Sequence, residues 1–254
     1  MTATTTPDRP TALVTGAGRG IGRAIVLRLA QEGYACVVVD LDADAAEKVA
    51  AEVGGRAVGL DVTDSTAVSE LAVTITRLDA LVNNAGIFPP APIAEVPLEQ
   101  FRAVMDVNVL GPLNLIQAFL PQLGAARGAV VNIASTAAKA PVPGTAAYSP
   151  SKAALISLTK LCAVELASTG VRFNAIGPGG VQTEGTASVS ADPEREARFN
   201  ALLPVGRRAL PDDIADVVPF LVGPDARYVT GQVIYVDGGL TESTISFLRA
   251  AQRG

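Results

Sequence analysis

The chain has 254 residues, 49% of them hydrophobic and 18% charged, with a net charge of −5 and a pI near 4.9. That supplies core for one large α/β domain or two small ones and leaves little scope for extended disorder. The acidic balance, with no basic run anywhere, argues against nucleic acid or an anionic membrane as the main partner.

Histidine is absent, and the two cysteines, Cys36 and Cys162, lie in apolar stretches. Buried thiols are therefore expected, with neither a disulfide framework nor a metal site. No uninterrupted apolar stretch reaches bilayer-spanning length, and the polar opening Met1 to Pro7 lacks the basic and apolar regions of a signal peptide. A soluble cytoplasmic protein is the expectation.

In chain order, residues 1–9 read as a flexible tail and 10–254 as one domain. Thr11 to Thr15 is a short apolar run stopped by glycines, which suits a buried strand. Ile21 to Glu32 shows helical apolar spacing and ends at Gly33. Cys36 to Asp40 predicts a second strand, Ala43 to Val53 a helix, Ala57 to Leu60 a third strand, Thr66 to Arg77 a helix and Ala80 to Asn83 a fourth strand. Helices follow over 98–110 and 112–123, with a strand at Ala129 to Ile133 and a small-residue loop. A long helix is expected over Tyr148 to Ala167, then strands at Val171 to Ile176 and Val233 to Val236. Residues 184–204 are polar, hold Gly185 and Pro193, and have weak helical character, as a mobile lid over a binding site would. Strands apolar on both faces, alternating with helices, predict an α/β fold with a doubly wound parallel sheet flanked by helices.

Two clusters carry chemistry. Gly16, Gly18, Gly20 and Gly22 fall in the turn between the first strand and first helix, where glycines bring backbone N–H groups close to a pyrophosphate at a helix N-terminus. Asp40 ends the second strand about 20 residues on, where an acid can bind both ribose hydroxyls and repel a 2′-phosphate. NAD(H) is favoured on that ground, with NADP(H) left possible because the charge of Arg19 acts in the opposite sense. The second cluster is Tyr148 and Lys152, one helical turn apart, with Ser135 upstream. Without histidine, proton chemistry near neutral pH needs another residue, and an ammonium beside a phenol lowers the phenol's pKa of roughly 10. An isolated Tyr-x-x-x-Lys is more often a surface pair at chance spacing, so the pair gains meaning only from its company.

That company resembles the short-chain dehydrogenase/reductase family over about residues 10–240. Thr15-Gly16-Ala17-Gly18-Arg19-Gly20-Ile21-Gly22 is similar to its glycine motif, Asp61-Val62 to its adenine contact, and Asn83-Asn84-Ala85-Gly86 to the motif ending its fourth strand. Asn108, Ser135, Tyr148 and Lys152 fall where its catalytic tetrad would fall, and Val236-Asp237-Gly238-Gly239 resembles its closing strand motif. The resemblance implies a Rossmann-like domain. It also implies cofactor contacts from Gly16, Arg19, Gly20, Ile21 and Gly22, from Asp40 and Leu41, from Asp61 and Val62, and from Asn83, Ala85 and Gly86. Further contacts would come from Tyr148 and Lys152, and from Pro178, Gly179, Val181 and Thr183. By the same resemblance Tyr148 exchanges a proton with the substrate oxygen, Ser135 hydrogen-bonds that oxygen, Lys152 lowers the tyrosine pKa and holds the nicotinamide ribose, and Asn108 places a relay water.

The chain departs from the pattern in a short third helix, in an additional glycine at Gly180, which is expected to loosen its loop, and in a tail through Ile245, Phe247 and Leu248. Ile87-Phe88-Pro89-Pro90, Ala137-Ala138 and Val142-Pro143 would face the substrate. Their apolar character, with no pair of arginines, predicts an uncharged, moderately hydrophobic secondary alcohol or ketone. The alternatives are a 3-oxoacyl-carrier-protein reductase using NADPH and a nucleotide-sensing protein without catalysis. A homo-oligomer, as a tetramer, is expected from the resemblance.

Overall fold

The computed structural model describes residues 9–184 and 192–243. The tail at residues 1–8, the lid segment 185–191 and the tail residues Ile245, Phe247 and Leu248 lie outside the described residues. Seven strands form one parallel sheet: β1 (Thr11–Thr15), β2 (Ala35–Asp40), β3 (Arg56–Gly59), β4 (Ala80–Asn83), β5 (Ala129–Ile133), β6 (Arg172–Pro178) and β7 (Val233–Val236). Their order is β3-β2-β1-β4-β5-β6-β7, so the winding reverses between β1 and β4. A crevice opens beyond the strand C-termini at such a reversal, and ligands of open α/β sheets bind there.

Alternate residues of each strand feed two cores. Val14, Val38, Val82 and Val131 face one layer with Ile25 and Leu29 of α1 (Gly20–Gln31) and Val49 of α2 (Ala43–Val53). Leu13, Val37, Leu81, Val130 and Phe173 face the other, where α3 (Ser65–Val73) adds Val68 and Leu71. This period of two, with both faces apolar, explains why the strands read as nearly continuous hydrophobic runs.

Several helix ends differ from expectation for local reasons. The third helix starts at Ser65, because the Asp64 carboxylate accepts from Thr66 and Ala67 N–H at 3.0 Å each. It stops at Val73, where the Thr74 hydroxyl turns back onto the Leu71 carbonyl at 2.8 Å. The two helices expected over 98–123 are one continuous run, α4 (Leu98–Met105), a π-helical turn at Asp106–Leu110, and α5 (Gly111–Ala126). Gly111 N–H bonds the Asp106 carbonyl five residues back, and this wide turn accommodates Pro112, which has no N–H to donate. By length and composition the run Leu98–Ala126, whose most apolar 18 residues have a mean hydropathy of 1.4, could cross a membrane. In this fold Leu115, Ile116, Phe119 and Leu123 are buried in the second core, as in a core helix.

The long helix α6 spans Tyr148–Glu165, with Pro150 in its first turn. Within the expected lid, α7 (Pro193–Asn200) is helical, its start marked by the Asp192 carboxylate accepting from Glu194 N–H at 3.0 Å. Two short helices, α8 (Pro211–Ala215) and α9 (Val218–Val222), complete the first core through Ile214, Val218 and Leu221.

Candidate active site

The glycine turn is shaped by close packing. A Cβ at Gly22 would lie 2.2 Å from the Gly16 carbonyl oxygen, and one at Gly16 would lie 2.8 Å from the Ala85 Cα. Gly16 and Gly20 hold left-handed φ of 60° and 54°, which suits residues without a side chain. The Asn84 amide clasps the turn, donating to the Thr15 and Gly16 carbonyls at 2.9 Å each. The Thr15 hydroxyl in turn accepts from Asn84 and Ala85 N–H at 3.1 Å, joining the ends of β1 and β4. These contacts form a crevice of about 310 Å³ lined by Gly16, Arg19, Asp40, Leu41, Asp61, Val62, Ala85 and Gly86. Asp40 Oδ2 accepts from Gly18 N–H at 2.8 Å, so its carboxylate is fixed beside the turn, while Arg19 is exposed. An acid at the strand end, a backbone turn open to phosphate and an apolar slot for a base fit a dinucleotide.

Asn83 keeps its side chain out of the crevice. Its side chain is 2% exposed and donates to Asn132 Oδ1 at 2.8 Å within the sheet, because the strand pleat turns it away from the crevice. Asn84, the next residue, takes the lining position, and alternation along β4 is the signal that separates the two.

The crevice continues into a cleft of about 290 Å³ lined by Ile21, Phe88, Ala134, Ser135, Tyr148, Lys152, Pro178, Gly179, Val181 and Thr183. Ser135 and Tyr148 line this cleft together, and the Ser135 hydroxyl accepts from Ala137 N–H at 3.1 Å. Lys152 is 4% exposed, and its Nζ donates to the Ile133 carbonyl at 2.8 Å. The ammonium lies over the Tyr148 ring, 5.7 Å from its centroid.

This arrangement changes the expected electrostatics. Burial pushes the Tyr148 phenol above its ordinary pKa, and the Ser135 hydrogen bond opposes it. Burial pushes Lys152 down to about 8. Burial is thus the largest influence on the phenol, and the Lys152 ammonium, held by the Ile133 carbonyl, lies beside its ring.

Asn108 projects from the π-helical turn and is fully buried. Its Oδ1 accepts from Ile87 N–H at 2.9 Å, and its Nδ2 donates to the Ile87 carbonyl at 3.1 Å and to Ser151 Oγ at 3.0 Å. The Ser151 hydroxyl donates to the Tyr148 carbonyl at 2.7 Å. Asn108 thus ties the loop after β4 to the first turn of α6, and Ser151 is a contributor that the motif reading passed over. Gly180 is also corrected. A Cβ there would lie 2.8 Å from the Phe199 ring, so the extra glycine permits close packing instead of loosening the loop. Arg208 stacks on that ring at 3.9 Å and bonds Glu196 at 2.8 Å, clamping α7 to the loop.

Fold and site together define an oxidoreductase built on a dinucleotide-binding sheet. Residues 16–241 match the family model described as enoyl-(acyl carrier protein) reductase, and the chain belongs to the short-chain dehydrogenase/reductase family. It is 43% identical to an uncharacterized oxidoreductase of Methylorubrum extorquens over 240 residues, covering 90% of this chain and 96% of that one. It is 38% identical to a 3-oxoacyl-(acyl-carrier-protein) reductase of Thermotoga maritima, covering 90% and 96%. A solved structure of a putative NAD(P) dependent gluconate 5-dehydrogenase from Beutenbergia cavernae, with NADP at low occupancy, superposes with a TM-score of 0.85 at 40% identity, covering 92% and 97%.

Proposed function

We propose that this chain interconverts a secondary alcohol and a ketone using NAD(H), with Tyr148 as the general acid/base. The observation that carries the reading is the gathering of Ser135, Tyr148 and Lys152 in one cleft continuous with the crevice beside Asp40. A nicotinamide bound there would supply or accept the hydride at the substrate carbon. Ser135 donates a hydrogen bond to the substrate oxygen and favours the negative charge that develops on it. In reduction the phenol, kept protonated by its burial, gives its proton to that oxygen. In oxidation it must first lose the proton, and the Lys152 ammonium beneath the ring favours the resulting phenolate. Asn108 would hold a water through which Lys152 exchanges protons with solvent. Gly16, Gly20, Ile21 and Gly22 would hold the pyrophosphate, and Pro178, Gly179, Val181 and Thr183 the nicotinamide end.

The preference for NAD(H) rests on Asp40, whose fixed carboxylate would meet a 2′-phosphate with like charge. The Beutenbergia structure carries NADP, so the preference is put forward for this chain's own residues. A panel of uncharged ketones, read by loss of reduced-nicotinamide absorbance with each cofactor, tests the whole reading. Turnover with a lower KM for NADH supports it. No turnover with any ketone, or better use of NADPH, counts against the corresponding part.

A second reading, 3-oxoacyl-carrier-protein reductase, is favoured by the Thermotoga relative. It predicts turnover confined to 3-oxoacyl thioesters of the carrier protein. A nucleotide sensor without catalysis fits less well, because Ser135, Tyr148 and Lys152 are all present and gathered in one cleft. We further propose a cytoplasmic homotetramer, in which the exposed Leu161 and Val164 of α6 would be covered.

A further inference from the structure

We propose that Phe88 is the specificity-determining residue of the cleft. Its ring is the wall against which the larger substituent of the carbonyl packs, and it selects flat, apolar substituents, aryl above all, over polyhydroxylated or anionic ones. The inference rests on the alcohol/ketone reading above and names the substrate class for that same site.

Three observations carry it. First, the Phe88 ring meets the Tyr148 ring edge-on, with centroids 4.6 Å apart and planes at 64°, yet the residue remains 52% exposed. An aromatic face left open beside the reacting hydroxyl is apolar surface that a bound substrate would cover. Any molecule whose oxygen reaches both Tyr148 and Ser135 must set one substituent near that ring.

Second, the wall is fixed before anything binds. The N–H and carbonyl of the preceding Ile87 are both held by the Asn108 side chain. Beyond Phe88, Ala91 N–H bonds the Gly144 carbonyl at 3.0 Å in an isolated bridge between the two loops. Pro89 and Pro90, which lie between these anchors, restrict the backbone further. A preorganised aromatic surface loses little entropy on binding and discriminates by shape.

Third, the lining beside Phe88 offers a polar substituent little to bind. Ile87 and Ala134 are apolar, the Asn84 amide already clasps the glycine turn, Thr183 lies at the nicotinamide end, and Lys152 is the lone charged side chain among the described lining residues. That lysine is buried and already donates to the Ile133 carbonyl. A carboxylate, or a row of hydroxyls, would give up its water there without compensation.

The test is a matched set of ketones with the full chain and its preferred cofactor: phenyl methyl ketone, cyclohexyl methyl ketone, butanone and a ketohexose. The wild type should favour phenyl methyl ketone over butanone by about tenfold in kcat/KM, and over the ketohexose by about a hundredfold. Phe88→Ala should collapse the aryl-over-butanone ratio, mainly through a higher KM for the aryl ketone. Phe88→Leu keeps bulk but removes the ring, so it should erase the aryl-over-cyclohexyl preference while retaining cyclohexyl over butanone. Thermal denaturation reports whether each variant folds, and Phe88→Leu keeps the test available if truncation to alanine fails. Unchanged ratios in a folded variant, or a wild type that prefers the ketohexose, would overturn the proposal while leaving the ketone-reductase reading standing. A wild type inert to every ketone with both cofactors would overturn that reading, and this proposal with it.

Discussion

Tyr148 stands under two opposed influences, burial raising its pKa and the Ser135 hydroxyl lowering it, with burial the larger. The cofactor-free phenol should therefore ionise above free tyrosine, and a bound oxidised nicotinamide, being cationic, should bring it down. Tyrosinate absorbance of the wild type minus Tyr148→Phe, titrated with and without NAD⁺, checks this. A phenol that ionises earlier without cofactor than with it would contradict the assignment. Lys152 gives a second prediction, this one about stability. Its folded pKa of about 8 lies below the ordinary 10.5, so the unfolded chain binds more protons between these values. The desolvation cost is fully present below pH 8 and fades as pH rises toward 10.5. The wild type should accordingly gain stability relative to Lys152→Met across that window, by up to about 3 kcal/mol. Urea melts at several pH values measure it, and a gap that stays flat or moves the other way refutes the buried-charge account.

At the scale of elements, the glycine turn and the π-helical turn do the positioning. Gly22→Ala places a methyl against the Gly16 carbonyl oxygen and the Ala17 Cα, which are backbone and cannot swing aside, and against the Asn84 amide that clasps the turn. It should cost about 1–3 kcal/mol of stability and weaken cofactor binding, as read by melting temperature with and without NADH. An unaltered cofactor-induced shift in melting temperature would argue that the turn does not touch the cofactor. The strands and the shared placement of Tyr148 and Lys152 were legible because two-sided burial leaves unbroken apolar runs, and because i and i+4 on α6 necessarily share a face. The orientation of Asn83 was also open to the pleat argument, though motif likeness obscured it. The π-helical turn had no such signal, since it depends on how Asn108 satisfies Ile87 and Ser151, contacts distant in sequence. The direction of the tyrosine pKa was equally hidden, because spacing places the lysine near the ring without showing how deeply the phenol is buried.

The whole molecule places the reversal of strand order between β1 and β4 where the glycine turn, Asp40 and the Tyr148 cleft converge. Cofactor choice belongs to this scale, since Asp40 on β2 and the turn after β1 form one surface through the Gly18 hydrogen bond. Asp40→Ser should raise kcat/KM for NADP(H) relative to NAD(H) by about tenfold, the effect of removing about 1.4 kcal/mol of repulsion. An unchanged ratio would locate the choice elsewhere. The role of Tyr148 as general acid/base is decided by ketone turnover in Tyr148→Phe, measured together with NADH affinity. That role predicts a loss of turnover of about a thousandfold or more with nearly unchanged NADH binding, because the ring and its packing remain while the transferable proton is gone. A variant that binds NADH normally and still reduces ketones at close to the wild-type rate would contradict it.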